Sequence, residues 1–186
     1  MHKYINITHN RLLMNKKVHY IRDIERIFSR YPARKKLVLC LLRNGLRIGE
    51  NGKILCGDIE ISDVKIARYL GIDRRIVNNT IKFVLSNSSL KNLFTRIKPI
   101  ARLDELGSEL GLGVVKVYVK DASKSGVIHK VTGIVDEYKI SIRQLIAEDP
   151  ELGYEPALIL VLEKELPEGL VSKIKKLDFV TKIEII

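Results

Sequence analysis

The pattern of apolar and polar positions is most regular over residues 62–85, SDVKIARYLGIDRRIVNNTIKFVL. Apolar side chains recur at helical spacing on both sides of Gly71, which predicts two helices joined by a turn. Glycine adopts positive φ without steric cost, so Gly71 ends the first helix. Asp73 caps the second helix, because its carboxylate accepts an N–H from the first turn. Ala67 is small enough to let the two helix backbones approach. The segment therefore predicts a helix-turn-helix, with apolar contacts from Val64, Ile66 and Leu70 in the first helix and from Val77, Ile81, Val84 and Leu85 in the second.

The polar face of the second predicted helix has the composition of a recognition helix. Arginine donates to guanine edges, asparagine pairs with adenine, and lysine neutralises phosphate. An ordinary helical hairpin with a solvated basic face would show the same pattern, so both interpretations stay open on these residues alone. The candidate DNA-binding residues are Arg74, Arg75, Asn78, Asn79 and Lys82.

A helical bundle with a β-hairpin is predicted for the rest of the N-terminal half. The spacing of apolar residues predicts one helix over residues 17–31 and a second from Pro32 to about residue 44. The pattern then changes to extended chain over residues 46–61. Within it, Asn51-Gly52 is typical of a type I′ hairpin turn.

Two shorter segments complete this half. Ser89 is placed to cap a short helix that ends at Phe94. Residues 1–16 have no clear periodicity, and two interpretations stay open for them. They are either a basic arm that enters a minor groove or an ordinary disordered terminus.

The C-terminal part alternates between strand and helix periodicities. The order is strand, helix, strand, strand, helix, strand, which predicts an antiparallel sheet with two helices on one face, the ferredoxin-like α+β layout. The predicted strands are 114–120, 139–147, 156–164 and 180–186, and the predicted helices are 126–138 and 167–177.

The segment between the two parts is interpreted as a connector with a small amphipathic helix. Its Leu103, Leu106 and Leu110 predict that it packs against a neighbouring surface and is not a free tether. The predicted domains are an all-α helix-turn-helix bundle with a β-hairpin at residues 1–98, the connector at 99–112, and a ferredoxin-like α+β domain at 113–186.

Charge is divided unevenly between the two halves. Residues 1–98 contain 21 lysine and arginine against 7 aspartate and glutamate, whereas residues 99–186 contain 12 against 15. The net charge of +11 therefore arises in the N-terminal half. A generally basic protein would not show this division. A nucleic-acid-binding module joined to a separate sensing or assembly module would.

The sequence shows no catalytic or metal-binding pattern. Cys40 and Cys56 are too few for a four-ligand zinc site and are interpreted as reduced thiols. The four histidines are scattered. No apolar run reaches the roughly 18 residues of a membrane span, and the chain does not start with a signal-peptide core. These features predict a cytoplasmic protein that is not an enzyme and has no cofactor, no metal and no membrane partner.

The segment KDASKSGVIHKVTGIVDEYKISIRQ resembles an ACT domain, the small amino-acid-sensing module of metabolic regulators. Ser125 stands where that family usually has proline. The order of elements over residues 17–186 is similar to that of archaeal predicted regulators of amino-acid metabolism, which join a helix-turn-helix to an ACT domain. The resemblance implies amino-acid sensing, with Asp121 as a ligand contact. The matching residues are Asp121, Gly126, Val127, Ile128, Ile134, Ile140, Ser141 and Ile142.

The loop that ends at Gly126 also has physical features suited to a carboxylate ligand. A glycine at a helix start exposes backbone N–H groups at the positive end of the helix dipole, and neighbouring serines add hydroxyl donors. The alternative is that Gly126 only turns the chain and that the domain only dimerises. The candidate ligand-binding residues are Asp121, Ser123, Ser125, Gly126 and Val127.

Together these patterns predict a DNA-binding transcriptional regulator of amino-acid metabolism. Its expected partners are double-stranded DNA, an amino-acid effector and a second copy of the chain. The strand predicted at residues 114–120 is expected to extend the sheet across a two-fold axis. Two alternatives stay open: an RNA-binding protein, and a regulatory or assembly subunit of a metabolic enzyme.

Overall fold

The computed structural model describes residues 20–107, 109–152 and 155–186. The chain forms two compact units, which meet in the sequence between Pro99 and Ile100. The arm predicted at residues 1–16 lies outside the described residues, as do residues 17–19 of the first predicted helix. Across the described part of the chain, no helix is both long enough and apolar enough to cross a membrane.

The described part of the first unit contains five helices and one antiparallel sheet of three short strands, in the order β1-β2-β3. All five helices contribute side chains to a single hydrophobic core, together with the first two strands. The elements are α1 (Tyr20–Phe28), α2 (Pro32–Arg43), β1 (Leu46–Ile48), β2 (Ile54–Cys56), β3 (Ile59–Ile61), α3 (Asp63–Leu70), α4 (Arg74–Ser86) and α5 (Ser88–Phe94).

The turn between α3 and α4 forms at the predicted residues. Gly71 is left-handed, with φ of 62° and ψ of 40°. The N–H of Ile72 donates to the Ala67 carbonyl at 3.0 Å, which closes the end of α3. The Asp73 carboxylate accepts the N–H of Arg75 at 2.6 Å and so caps α4. The geometry that the glycine and the aspartate predicted is present.

The prediction that Val64 packs in the core was wrong. Its side chain is 41% exposed, whereas Ile66, Ala67 and Leu70 are buried. Successive residues of an α-helix are rotated by about 100°. Val64 therefore lies roughly 200° around α3 from Ile66 and faces solvent.

The hairpin at Asn51-Gly52 forms, but its turn is not type I′. A type I′ turn needs positive φ at both central residues. Among the described non-glycine residues only Lys139 has positive φ, so Asn51 does not. Gly52 N–H donates to Gly49 O at 2.9 Å, and Gly49 N–H donates to Lys53 O at 2.8 Å. This is a three-residue loop with glycine at the left-handed position, and the chain then adds a third strand, β3.

The cap of the short helix α5 differs from the prediction. The Asn87 side chain accepts the N–H of Leu90 at 3.1 Å, so the cap is Asn87 and not Ser89. Asn87 also ends α4, where its backbone N–H donates to Phe83 O and Val84 O. One asparagine therefore serves both helices, because its extended backbone interrupts the helical ladder.

The second unit has the predicted order of strands and helices. Its four strands form one sheet in the order β5-β6-β4-β7, with every neighbouring pair antiparallel. Both helices pack on one face, over a core that includes Val115, Val117, Leu160 and Leu162. The elements are β4 (Gly113–Val119), α6 (Val127–Glu137), β5 (Ile142–Ala147), β6 (Ala157–Leu162), α7 (Leu170–Lys175) and β7 (Val180–Ile185).

In the second unit, the two boundaries that differ most from the prediction, by three residues each, lie near residues with positive φ. Lys139 has φ of 54° just after α6, so the following strand begins only at Ile142. Gly169 has φ of 83° and precedes α7, which therefore starts at Leu170 and not at Pro167. A left-handed residue cannot continue either a strand or a right-handed helix.

The strand predicted to pair across a two-fold axis lies inside the sheet. β4 pairs with β6 on one side and with β7 on the other. Its backbone N–H and C=O groups are therefore already used within the chain. The expected dimer contact through residues 114–120 is wrong, and the open sheet edges are β5 and β7.

The segment interpreted as a connector packs on the second unit. Leu103 packs against buried Leu112, Val114 and Val161. In contrast, Leu106 and Leu110 are about half exposed, at 48% and 54%. The predicted amphipathic helix is only a short 3-10 turn, Asp104–Leu106, because Leu103 is only partly buried and the other two leucines face solvent.

Gly107 allows the segment to approach the sheet. A Cβ atom built on Gly107 would lie 2.4 Å from Cγ2 of Val114, which is buried. We expect Gly107→Ala to lower the free energy of unfolding by about 1–3 kcal/mol through overpacking. A Cβ atom built on Gly133, within α6, would lie in open space, with nothing within 4 Å. Gly133→Ala should raise the free energy of unfolding by about 0.5–1 kcal/mol.

Urea unfolding followed by circular dichroism measures both changes. The two variants make the same chemical substitution, so a common effect of alanine would shift both midpoints in one direction. Shifts of the same sign would contradict the packing described for Gly107.

Candidate functional sites

One side of α4 carries three polar residues that have no partner among the described residues. Arg75, Asn79 and Lys82 follow the spacing i, i+4, i+7 and are exposed. Val77, Ile81 and Val84 occupy the opposite side of α4 and are buried in the core. We call Arg75, Asn79 and Lys82 the outer stripe of α4. Its guanidinium, amide and ammonium groups are available for an external partner.

The other two candidate DNA-binding residues make contacts within the protein. Arg74 Nε lies 2.8 Å from Asp63 Oδ2. The second oxygen of Asp63 accepts the N–H of Val64 at 2.8 Å. The hydrogen bond from Arg74 lowers the pKa of Asp63, and the side chain of Asn78 makes a smaller contribution that also lowers this pKa. Arg74 thus ties the start of α3 to α4.

The outward face of α3 was not singled out from the sequence. It carries Lys65 and Arg68, both exposed, and Tyr69, which is 78% exposed. The signal was available, because these residues occupy the helical positions left over by Ile66, Ala67 and Leu70. In a helix-turn-helix the first helix crosses the nucleic-acid backbone, and exposed lysine and arginine suit that position.

The second unit contains a cavity of about 170 Å³ beneath the loop that joins β4 to α6. Three of the five candidate ligand-binding residues line it: Ser125, Gly126 and Val127. Gly126 is left-handed, with φ of 86°, and directly precedes α6. The cavity also contacts the ends of three strands through Val119 of β4, Ala147 of β5 and Leu158 of β6. It combines a mostly apolar wall with backbone N–H groups at a helix start.

The remaining two candidates bond to each other and do not line the cavity. The Asp121 carboxylate accepts the Ser123 hydroxyl at 2.6 Å and the Ser123 N–H at 2.9 Å. The side-chain hydrogen bond from Ser123 lowers the pKa of Asp121. These contacts shape the loop, because they close a local turn before Gly126.

Two charged residues of the cavity wall were missed in the sequence. Lys124 belongs to the loop, and Glu148 directly follows β5. Their contribution depends on the sheet order, which brings the ends of β4, β6 and β5 side by side. Spacing along the sequence did not indicate that Lys124 and Glu148 line one cavity, since 23 residues lie between them.

Among the described residues, no group of three or more histidine, cysteine, aspartate and glutamate side chains is arranged to hold a metal ion. Cys40 and Cys56 are both free thiols. Partial burial raises the pKa of Cys40, which keeps its thiol protonated and disfavours reaction as a nucleophile.

No protein-family model matches the chain, and no curated protein does. Among solved structures, the ACT domain of a GTP pyrophosphokinase from Chlorobium tepidum is 18% identical, with a TM-score of 0.31, over 40% of this chain and 84% of that one. An AsnC family transcriptional regulator from Agrobacterium tumefaciens is 8% identical, with a TM-score of 0.29, over 83% and 86%. An AsnC family regulatory protein from Pyrococcus furiosus is 12% identical, with a TM-score of 0.23, over 90% and 86%. Likeness at this level carries no argument about this chain.

Proposed function

We propose that the protein is a DNA-binding transcriptional regulator of amino-acid metabolism, with α3 and α4 as its helix-turn-helix. The outer stripe of α4 is the observation that carries this proposal. A helix whose apolar side is locked into a core and whose opposite side offers unpaired arginine, asparagine and lysine has the donor set for reading the major groove. The second unit, with its βαββαβ order, then acts as an ACT-type ferredoxin-like regulatory domain.

The distribution of charge supports nucleic acid as the partner of the first unit. The excess of lysine and arginine is confined to residues 1–98. Base-reading side chains on one short helix suit double-stranded DNA better than structured RNA, because the deep, narrow major groove of an A-form helix excludes side chains. An assembly subunit of an enzyme has no use for such a stripe.

The DNA-binding proposal is tested on a site selected from a random duplex library. Arg75→Ala and Asn79→Ala should each weaken binding to that site by about 1–3 kcal/mol, because each removes a bidentate base contact. Lys82→Ala should weaken binding to all sequences alike and reduce the salt slope by about one, because it removes a phosphate contact. Fluorescence anisotropy at several salt concentrations measures both quantities.

A matched control is Arg143→Ala, which removes an exposed arginine from the second unit and should leave DNA affinity unchanged. A structured RNA of equal length serves as competitor and separates DNA binding from RNA binding. If the triple alanine variant of Arg74, Arg75 and Asn79 folds and still selects the same site, the exposed face of α4 is not the reading surface.

The regulator is proposed to bind DNA as a homodimer. One recognition helix contacts only a few base pairs, and two-fold symmetric regulators double that number at half-sites about one helical turn apart. We expect the selected sites to be pseudo-palindromic. Sedimentation of the full chain at micromolar concentration should give twice the monomer mass, with and without DNA. A monomer that binds a single half-site at full affinity would contradict the dimer.

The second unit is proposed to bind an amino acid in its cavity. The N–H groups at the start of α6 suit a carboxylate, and Val119, Val127 and Leu158 suit an apolar side chain. Gly126→Val should remove effector binding, since a β-branched residue is strained at φ of 86° and would displace these N–H groups. DNA binding by this variant should persist and no longer respond to the effector.

Thermal shift across the twenty amino acids, followed by titration calorimetry, measures effector binding. Gly133→Ala is the matched control, because Gly133 lies in the same helix and away from the cavity. If the wild-type protein shows no heat and no stabilisation with any amino acid, the second unit serves assembly alone.

A further inference from the structure

Glu148 belongs to the cavity wall and to an ion pair outside it. One carboxylate oxygen, Oε1, lies 3.1 Å from Nη1 of Arg102. The other, Oε2, accepts the N–H of Ala157 at 3.1 Å. The Glu148 side chain is only 15% exposed, so its charge is poorly solvated and depends on these partners. A change in the charge or position of the Glu148 side chain therefore affects both the cavity wall and the ion pair with Arg102.

Arg102 connects Glu148 to a second, buried carboxylate. Its Nε and Nη2 lie 3.0 Å and 2.7 Å from the two oxygens of Asp104. The Asp104 side chain is 1% exposed, and Lys116 of β4 approaches it at 3.3 Å. The hydrogen bonds from Arg102 and then Lys116 lower the pKa of Asp104 to about 2. Arg102 thus pairs both with a buried carboxylate and with the carboxylate of a residue that lines the cavity.

A third side chain fixes the backbone at the same place. The N–H of Leu103 donates to Gln144 Oε1 at 3.0 Å, and Gln144 Nε2 donates to the carbonyl of Ala101 at 2.7 Å. The Gln144 side chain thus supplies to Ala101 and Leu103 the kind of backbone hydrogen bonds that a neighbouring strand would supply. Residues 101–104, which begin two positions after Pro99, are therefore held by side chains from β4, from β5 and from Glu148.

The cavity presents opposite charges at two separate places. Lys124 and the start of α6 belong to the loop after β4, whereas Glu148 follows β5. β6 lies between these two strands in the sheet, so Lys124 and Glu148 reach the cavity from different strands. An α-amino acid carries its carboxylate and its ammonium on one carbon, from which they point in different directions, and the apolar part of the wall suits a small aliphatic side chain.

We propose that the Glu148–Arg102 pair is a latch that reports occupancy of the cavity to residues 101–104. The ligand is an amino acid with a small aliphatic side chain. Its ammonium binds Glu148 in competition with Arg102, and residues 101–104 loosen from the sheet when the pair opens. This inference rests on the effector site proposed above and adds the residue that recognises the ammonium and the path by which binding leaves the cavity.

A ligand changes an equilibrium only when its affinity differs between the two states. Here the difference arises at Glu148, because the ammonium and Arg102 exclude each other. Thermodynamic reciprocity then requires two equal factors. Loosening of residues 101–104 raises the affinity for the ligand by the same factor by which bound ligand raises the equilibrium constant for loosening. Arg102→Gln removes the competitor and should therefore bind the amino acid more tightly, by about 5- to 150-fold.

The experiment uses the full chain and follows hydrogen exchange of the Leu103 amide, which donates to Gln144. Glu148→Gln keeps an oxygen for the Ala157 N–H and loses the charge. Without ligand, this variant should exchange the Leu103 amide at least about fivefold faster than wild type, because the latch is open. Glu163→Gln is the control, since Glu163 is exposed and follows the opposite end of β6. It should behave as wild type.

The ligand arm compares L-valine, L-alanine and L-leucine with the same molecules lacking the amino group, for example isovalerate for L-valine. An amino acid that binds wild type should speed exchange at Leu103, whereas its deaminated analogue should not. Glu148→Gln should lose at least about tenfold in affinity for the amino acid and none for the analogue.

Two results would overturn the latch, and they differ in what they leave standing. If one of these amino acids binds wild type while Leu103 exchange is unchanged, or if Glu148→Gln binds it equally well, the latch is wrong and the effector site stands. If none of the three binds wild type, the ammonium-driven latch falls; the wider screen of twenty amino acids then decides whether the effector site falls with it.

Discussion

Burial of Val77, Ile81 and Val84 fixes the rotation of α4 about its axis, and the surface that the first unit presents follows from that rotation. Each residue turns the helix by about 100°, so a shift by one position would expose these side chains. Exposing a single aliphatic side chain of this size costs about 1.5–3 kcal/mol. The Asp63–Arg74 pair is partly solvated and adds little by comparison. Its effect is to engage Arg74, which is exposed but paired, so that the outer stripe of α4 is the part of the polar face without a partner among the described residues.

Periodicity and glycine chemistry were sufficient to predict the elements that depend on local sequence. Gly71 and Asp73 define their turn through their own backbone and side chain, and Gly126 is left-handed where a helix start was predicted. The wrong predictions concern choices between alternatives that local sequence allows equally well. Asn87 and Ser89 are both good caps, and only the packing of α4 against α5 decides between them. The turn at Asn51-Gly52 could not be typed, because the loop length was unknown until the register of β1 and β2 was known.

The residues that form the cavity could not all be predicted, because the order of the strands in the sheet cannot be read from the sequence. A strand pattern shows which residues alternate between faces, but it does not show which strands are neighbours. The expectation that residues 114–120 form an edge failed for this reason, and Glu148 was missed for the same reason. By contrast, the outer stripe of α4 lies within one helix, and helical periodicity was enough to predict all three of its residues. The pairing of Arg74 with Asp63 could be seen only in the structure.

The buried Asp104 clarifies why residues 101–104 are suited to carry a signal. A stretch held by apolar contacts alone would respond to no charge in the cavity. A buried ion pair is different, because removing one partner leaves the other uncompensated, at a cost of about 3–5 kcal/mol. Asp104 keeps Lys116 when Arg102 moves, so its charge stays compensated and the segment can loosen without unfolding the sheet. The proposed latch requires two states of residues 101–104, and the shared arginine offers them: Arg102 pairs with both carboxylates when the cavity is empty and with Asp104 alone when an ammonium occupies Glu148.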